Sequence, residues 1–132
     1  MALVAASLSE IDHAYIECLN RQDWARLSSF VDDEVEHNGR RLRLSGYRDM
    51  LVRDFNDIPD LHFTVRLLVC EPPRIAVRLG FTCHPGAEFL GLSINGRKVS
   101  FSENVFYEFR DSRIAIVWSI IDKAAIQAQC EG

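Results

Sequence analysis

The spacing of hydrophobic positions changes once along this chain, near residue 61, from helical intervals to strict alternation. Ser7 and Glu10 stand at capping-box spacing, and Leu8, Ile11, Tyr15, Cys18 and Leu19 follow three or four apart, which predicts a helix to about Asn20. Asp23 is placed to cap a second, short helix carrying Trp24, Leu27 and Phe30, which Asp32-Asp33 brings to an end. Between Val35 and Leu44, the Asn38-Gly39 turn predicts a small hairpin with His37 just before it. Ser45 then offers a cap for a third helix with Tyr47, Leu51 and Phe55 on one stripe, widened by Met50 and Ile58 and stopped by Pro59.

Beyond that point the period is two. Leu61, Phe63, Val65, Leu67 and Val69 alternate with His62, Thr64, Arg66 and Leu68 up to Pro72-Pro73. Ile75, Val77, Leu79, Phe81 and Cys83 form a second strand ending at Pro85-Gly86. The connection from Gly86 to Lys98 carries Phe89, Leu90 and Leu92, more apolar than a plain surface turn, as for a loop lying over something. Val99 to Phe109 is a third strand, turned by Asp111-Ser112 into the most hydrophobic stretch, Ile114 to Asp122, after which KAAIQAQ has the composition of a short helix. Strict alternation there predicts Ile114, Ile116, Trp118 and Ile120 on the face lining the interior, with Asp122 at its rim. The other parity, Ala115, Val117, Ser119 and Ile121, is too apolar for water and predicts a covering second subunit, a homodimer through the outer sheet face. Together these elements predict an α+β fold: a curved antiparallel sheet with three N-terminal helices packed on one face.

Length and charge narrow the function more than they alter the fold. The 132 residues fit one domain, residues 1–132, and the net charge of −4, with no dense run of Lys or Arg, argues against nucleic-acid and membrane partners. Cys18, Cys70, Cys83 and Cys130 are scattered and form no CxxC pair, as expected of free thiols. His37, His62, His84, Glu103 and Asp122 have no metal-ligand spacing. The opening MALVAASLSE lacks a basic n-region, and no segment reaches the roughly twenty apolar residues of a membrane span, so a cytoplasmic protein is expected.

The order His84-x-Gly86-x-x-Phe89-x-Gly91, then Gly96-Arg97, and the closing Ile114, Trp118 and Asp122 resemble the SnoaL-like polyketide cyclases of the nuclear transport factor 2-like superfamily. The likeness extends over nearly the whole chain. It departs where Ser112 stands for a glycine in the last turn and where Ser93-Ile94-Asn95-Gly96 replaces a Pro-Thr-Gly loop, which shifts the shape of the pocket. The resemblance implies a cone-shaped α+β barrel, with the helices on the concave face of the sheet and a hydrophobic pocket between them, and commonly a homodimer. It also implies intramolecular aldol ring closure of a carbonyl-bearing small molecule without metal or cofactor, with Asp122 as acid/base and His84 near the pocket mouth.

Such a closure requires a proton removed beside a carbonyl and one delivered to the new alcohol oxygen, work suited to a carboxyl of raised pKa. Asp122, ending a stripe of Ile and Trp, is the candidate; a strand-end or helix-capping Asp is the plainer reading. His84 is the second catalytic candidate. Trp118, Tyr47, Leu51 and Phe55 are candidate pocket residues that fit a core as well, Phe89 is a candidate from the apolar connection, and His37 is a candidate whose plainer reading is a surface or hydrogen-bonded structural role. Arg78 and Asn104 are candidates for a carbonyl contact, with the inward face of their strands left open. Two other functions fit the same residues: a non-catalytic small-molecule-binding protein, and an epoxide hydrolase-like enzyme in which Glu103, Arg78 or Asp54 join Asp122 around a water.

Overall fold

The computed structural model describes residues 5–131, so the first residues of the opening read above lie outside the described residues. Helix α1 (Ala5–Asn20), a 3-10 segment (Trp24–Ser29) and α2 (Arg43–Asp57) precede the long strands, and α3 (Lys123–Glu131) follows them. The strands are β1 (Val31–His37), β2 (Arg40–Arg41), β3 (Thr64–Glu71), β4 (Arg74–Cys83), the two-residue β5 (Glu88–Phe89) and β6 (Leu92–Ser93), β7 (Val99–Arg110) and β8 (Arg113–Ile121). Six of them form one sheet in the order β2-β1-β8-β7-β4-β3, while β5 and β6 make a small separate hairpin. Helix α1 packs against β3, α2 against β1, and α3 against β7.

The helical half differs from its expected form in three places. Ser7 and Ser45 lie inside their helices, so neither is a cap. Only six residues separate Asp23 from Phe30, too few for a stable α-helix, and they close as a 3-10 turn without a side-chain cap from Asp23. Thus two α-helices and one 3-10 segment stand in place of three helices. Asp32 and Asp33 do not end a helix; they sit in β1, which runs parallel to β8 through Val31 opposite Ile114. Its polar composition gives no alternating signal, and the strand is imposed by pairing with β8 and by burial of Val31 and Val35. The Asn38-Gly39 hairpin forms as expected, with positive φ at both residues (49° and 82°). Asp111 and Ser112 also take positive φ (51° and 65°), a strained choice for serine.

Two one-residue bulges decide which side chains face the interior. On β3 the register passes from Val65 opposite Leu79 to Leu67 opposite Arg78, leaving Arg66 as the extra residue. Leu67 and Val69 therefore point out, 58% and 57% exposed. On β8, Phe109 pairs with Ile114 but Glu108 pairs with Ile116, so Ala115 is extra. A one-residue slip exchanges the faces of everything beyond it. The predicted stripe is therefore reversed past Ile114: Val117, Ser119 and Ile121 face the interior, whereas Trp118 (41% exposed) and Ile120 (70%) face out. The strands β4 and β7 keep strict alternation, burying Ile75, Val77, Leu79, Phe81 and Cys83, and Val99, Phe101, Val105, Tyr107 and Phe109.

Candidate active site

The inner face of the sheet and helices α1 and α2 enclose a cavity of about 430 Å³. Its walls are mostly apolar, from Leu19, Met50, Leu51, Phe63, Leu79, Val105 and Val117. Its polar groups are few: Asp54 from α2, Glu103 from β7, Ser119 from β8, His37 and Asn38 at the end of β1, and the phenols of Tyr15, Tyr47 and Tyr107. Leu90 and Lys123 complete the lining, with Ile120, mostly exposed, at its edge. A smaller chamber lined by Phe81, Phe89 and Phe101 adjoins it and shares Asp54, Phe63, Glu103 and Ile121.

Each of these polar groups is held by ordinary local structure. Glu103 occupies the inward row of β7 between Phe101 and Val105, so β alternation turns its carboxyl into an apolar wall. Asp54 lies seven residues after Tyr47 and three after Leu51 on α2, which puts all three on one helical face. Burial pushes Asp54 up to about 6, helped by the nearby charge of Asp57 and opposed by Arg53. Burial likewise pushes Glu103 up to about 7, with the Asp54 carboxylate adding to the rise and Ser119 partly offsetting it. The Ser119 hydroxyl lies 3.1 Å from Nε2 of His37, whose pKa is lowered by burial and by Arg40. Among the described residues, no group of three or more His, Cys, Asp or Glu is clustered closely enough to hold a metal ion.

Several expected site residues lie elsewhere. Asp122 follows the reversed parity of β8 and is exposed; its Oδ1 accepts a hydrogen bond from the Ala125 amide at 3.1 Å, capping α3. It borders a shallow depression on the outer sheet face with Arg66 and Arg78, apart from the cavity. His84 is exposed and paired through Nδ1 with Asp60 at 2.7 Å; this contact holds the Asp60 carboxyl below its usual value. Arg78 donates to Asn104 Oδ1 at 3.1 Å on the outer face, which removes both from the interior. Trp118 is outside as well. Phe55 is buried in the core, edge-on to Trp24 and tilted against Phe63, and does not line the cavity. Of the expected residues, Tyr47, Leu51 and His37 line the main cavity and Phe89 the smaller chamber. The epoxide hydrolase arrangement is not assembled, because Arg78 and Asp122 are on the opposite side of the sheet from Asp54 and Glu103.

Asp122→Ala is expected to cost about 1 kcal/mol through loss of the α3 cap. In a carbon-acid exchange assay it should leave the rate within about twofold of the parent; a loss of a hundredfold would return Asp122 to the chemistry.

The sequence did carry a signal for the pair that meets in the cavity. Glu103 is the single charged side chain in the row Val99, Phe101, Glu103, Val105, Tyr107, Phe109, and Asp54 extends the Tyr47-Leu51 stripe. An acid in register with an apolar face is the mark that identifies each.

Comparisons with known proteins agree with this architecture. The SnoaL-like polyketide cyclase family model matches residues 9–130. A SnoaL-like polyketide cyclase from Agrobacterium tumefaciens is 53% identical, with 93% of this chain and 97% of that one covered and a TM-score of 0.92. TsrD from Streptomyces laurentii (23% identity, 97% of each chain, TM-score 0.84) and IdmH from Streptomyces antibioticus (20%, 95% of this chain and 99% of that one, 0.81) share the fold. Comparison with curated proteins returned no match. With the curved sheet, the enclosed cavity and a family match over residues 9–130, this chain belongs to the SnoaL-like polyketide cyclase family.

Proposed function

We propose that this protein is a cofactor-independent acid/base catalyst that closes a ring in a hydrophobic, carbonyl-bearing small molecule by intramolecular aldol condensation. The observation that carries the proposal is that two carboxyls from separate elements, Asp54 and Glu103, line one mostly apolar cavity. They take the acid/base work that the resemblance assigned to Asp122. Asp54 is the base, its charge raising the pKa of Glu103 so that Glu103 stays protonated: the Asp54 carboxylate takes the proton from a carbon beside a carbonyl, and the electron pair moves to give the enolate. The enolate carbon attacks a second carbonyl, forming the C–C bond and leaving an alkoxide. Glu103, which keeps its proton to higher pH, donates it to that oxygen. Return of the proton from Asp54 to Glu103 resets the pair.

The test is proton-deuteron exchange of an aryl 1,3-diketone in D₂O, followed by NMR. Catalysed exchange is the expected result. Tight binding without exchange would favour the second reading, a non-catalytic small-molecule-binding protein, which the same apolar cavity also suits.

We also propose a homodimer through the outer sheet face, carried by other residues than the alternation predicted. Leu67, Val69, Phe106, Trp118 and Ile120 are exposed large apolar side chains on strands of that face, the kind of patch that marks an interaction site. Sedimentation should give twice the 15.1 kDa chain mass, and the Phe106→Lys, Ile120→Lys pair of substitutions should return it to 15.1 kDa. A wild-type monomer at micromolar concentration would end the proposal.

A further inference from the structure

All three tyrosines of the chain line the cavity, one each from α1, α2 and β7. Tyr15, Tyr47 and Tyr107 are 1%, 3% and 3% exposed. The hydroxyls of Tyr15 and Tyr47 are 2.7 Å apart, and the Tyr15 and Tyr107 rings meet edge to face at 5.7 Å. They sit at one end of the site. Tyr47 precedes Asp54 by seven residues on α2, about 10 Å along the axis at 1.5 Å per residue. Tyr107 follows Glu103 by four residues on β7, about 13 Å at 3.3 Å per residue. Leu51 and Val105 lie between them on those same faces. The cavity therefore has a carboxyl end, an apolar middle and a phenol end.

We propose that Tyr15, Tyr47 and Tyr107 form an oxyanion receptor that binds the enolate or phenolate oxygen of a hydrophobic ligand, toward the other end of the cavity from Asp54 and Glu103. The assignment of the ligand's reacting carbon to the carboxyl end rests on the function proposed above; the receptor itself does not. Three buried rings that served packing alone would need no hydroxyls. The Tyr15–Tyr47 bond uses one of three phenolic protons, and the remaining donors border a cavity whose middle is walled by Leu51, Leu79, Val105 and Val117. Burial raises the pKa of all three phenols, and so do the charges of Asp12 on all three, of Glu103 on Tyr47 and Tyr107 and of Asp54 on Tyr47, so they stay protonated and act as donors. An oxygen anion gains most from such donors because little water competes for it there. The neighbouring His37 ring, 6.2 Å from that of Tyr47, already has its Nε2 engaged with Ser119. The receptor selects ligands that carry an acidic enol or phenol.

The test uses 2-naphthols of graded acidity, with binding followed by absorbance. The wild-type protein is expected to bind them more tightly as their acidity rises, and to show the naphtholate band at a pH where free naphthol is neutral. Tyr47→Phe and Tyr107→Phe should each weaken binding about ten- to hundredfold and diminish that band, since both keep their rings and lose a hydrogen bond to a charged oxygen, Tyr47→Phe losing its bond to Tyr15 as well. Near-UV circular dichroism checks that the variants keep the fold. Asp122→Ala, outside the cavity, should not weaken binding. Neutral naphthol bound to the wild-type protein, or affinity unchanged in Tyr47→Phe, would overturn the receptor even if Tyr107→Phe fails to fold. The two proposals fail separately: naphtholate binding without diketone exchange keeps the receptor and ends the catalyst, and exchange with neutral naphthol bound does the reverse.

Discussion

Asp54→Asn is expected to slow deuterium exchange of the aryl 1,3-diketone by about 10²–10⁴-fold, the contribution a positioned general base ordinarily makes. Asparagine has nearly the same shape, so the cavity wall is retained while the proton acceptor is lost. Unfolding is a poor explanation for such a loss. A partly buried carboxyl raised to about 6 carries a desolvation cost once ionised, and removing it should leave stability at pH 8 equal or higher. The wild-type profile should be a narrow bell, because activity needs Asp54 ionised and Glu103 protonated, near 6 and 7. Since the two carboxyls interact, those limbs belong to the pair. Glu103→Gln should remove the alkaline limb. Asp54→Asn should also lower the pKa of Glu103, whose rise depends in part on the Asp54 charge, and carboxyl NMR of Glu103 reads that directly. Exchange within twofold of the parent in Asp54→Asn would take the base away from this residue.

The α+β class, the order of the long strands and the Asn38-Gly39 hairpin were legible because each depends on local pattern: alternation over many residues, or a turn dipeptide with the required φ. The facing of β8 was not. It depends on Ala115 being the extra residue of a bulge, and nothing in Arg113-Ile114-Ala115-Ile116-Val117 distinguishes a bulge from an unbroken strand. That single residue moves Trp118 and Asp122 outside and brings Ser119 in. The same device on β3, at Arg66, sends Leu67 and Val69 outward. Strand β1 was hidden for a different reason: Val31-Asp-Asp-Glu-Val-Glu-His has too little apolar content to read as a strand until β8 pairs with it. His37, Tyr47 and Leu51 were found because their neighbours in the chain fix their direction. Arg78 and Asn104 were left open on the correct question, and the regular alternation of β4 and β7 answers it. Glu103 and Asp54 are legible as carboxyls in register with apolar faces, whereas the family resemblance points to Asp122, which the bulge in β8 places outside.

A third carboxyl in register with an apolar face makes the largest stability prediction. Asp12 lies on α1 between Leu8 and Tyr15, is fully buried, and neither of its oxygens has a hydrogen-bond partner among the described residues. Burial raises its pKa from 3.8 to about 7. The folded protein thus holds this proton more tightly than the unfolded chain does. Stability from that difference is fully present below about pH 4, declines as pH rises, and is gone above about 7. At about 1.4 kcal/mol per pKa unit, ionising Asp12 costs the fold about 4 kcal/mol above neutrality. Asp12→Asn cannot ionise. Its unpartnered amide should leave it equal to or slightly less stable than the parent at pH 4, where Asp12 is also neutral. By pH 8.5 the order should reverse, with the variant melting higher by roughly 10 °C. The comparison is a difference between two proteins at each pH, so the remaining carboxyls cancel. Parallel melting curves from pH 4 to 8.5 would mean that Asp12 has a compensating partner and that its burial carries no electrostatic cost. The same ionisation bears on the cavity, because the charge of Asp12 acts on Tyr15, Tyr47 and Tyr107 and raises their pKa values further. Keeping Asp12 neutral therefore favours both the fold and an anion held by the three phenols, and Asp12→Asn should retain naphtholate affinity at a pH where the parent begins to lose it.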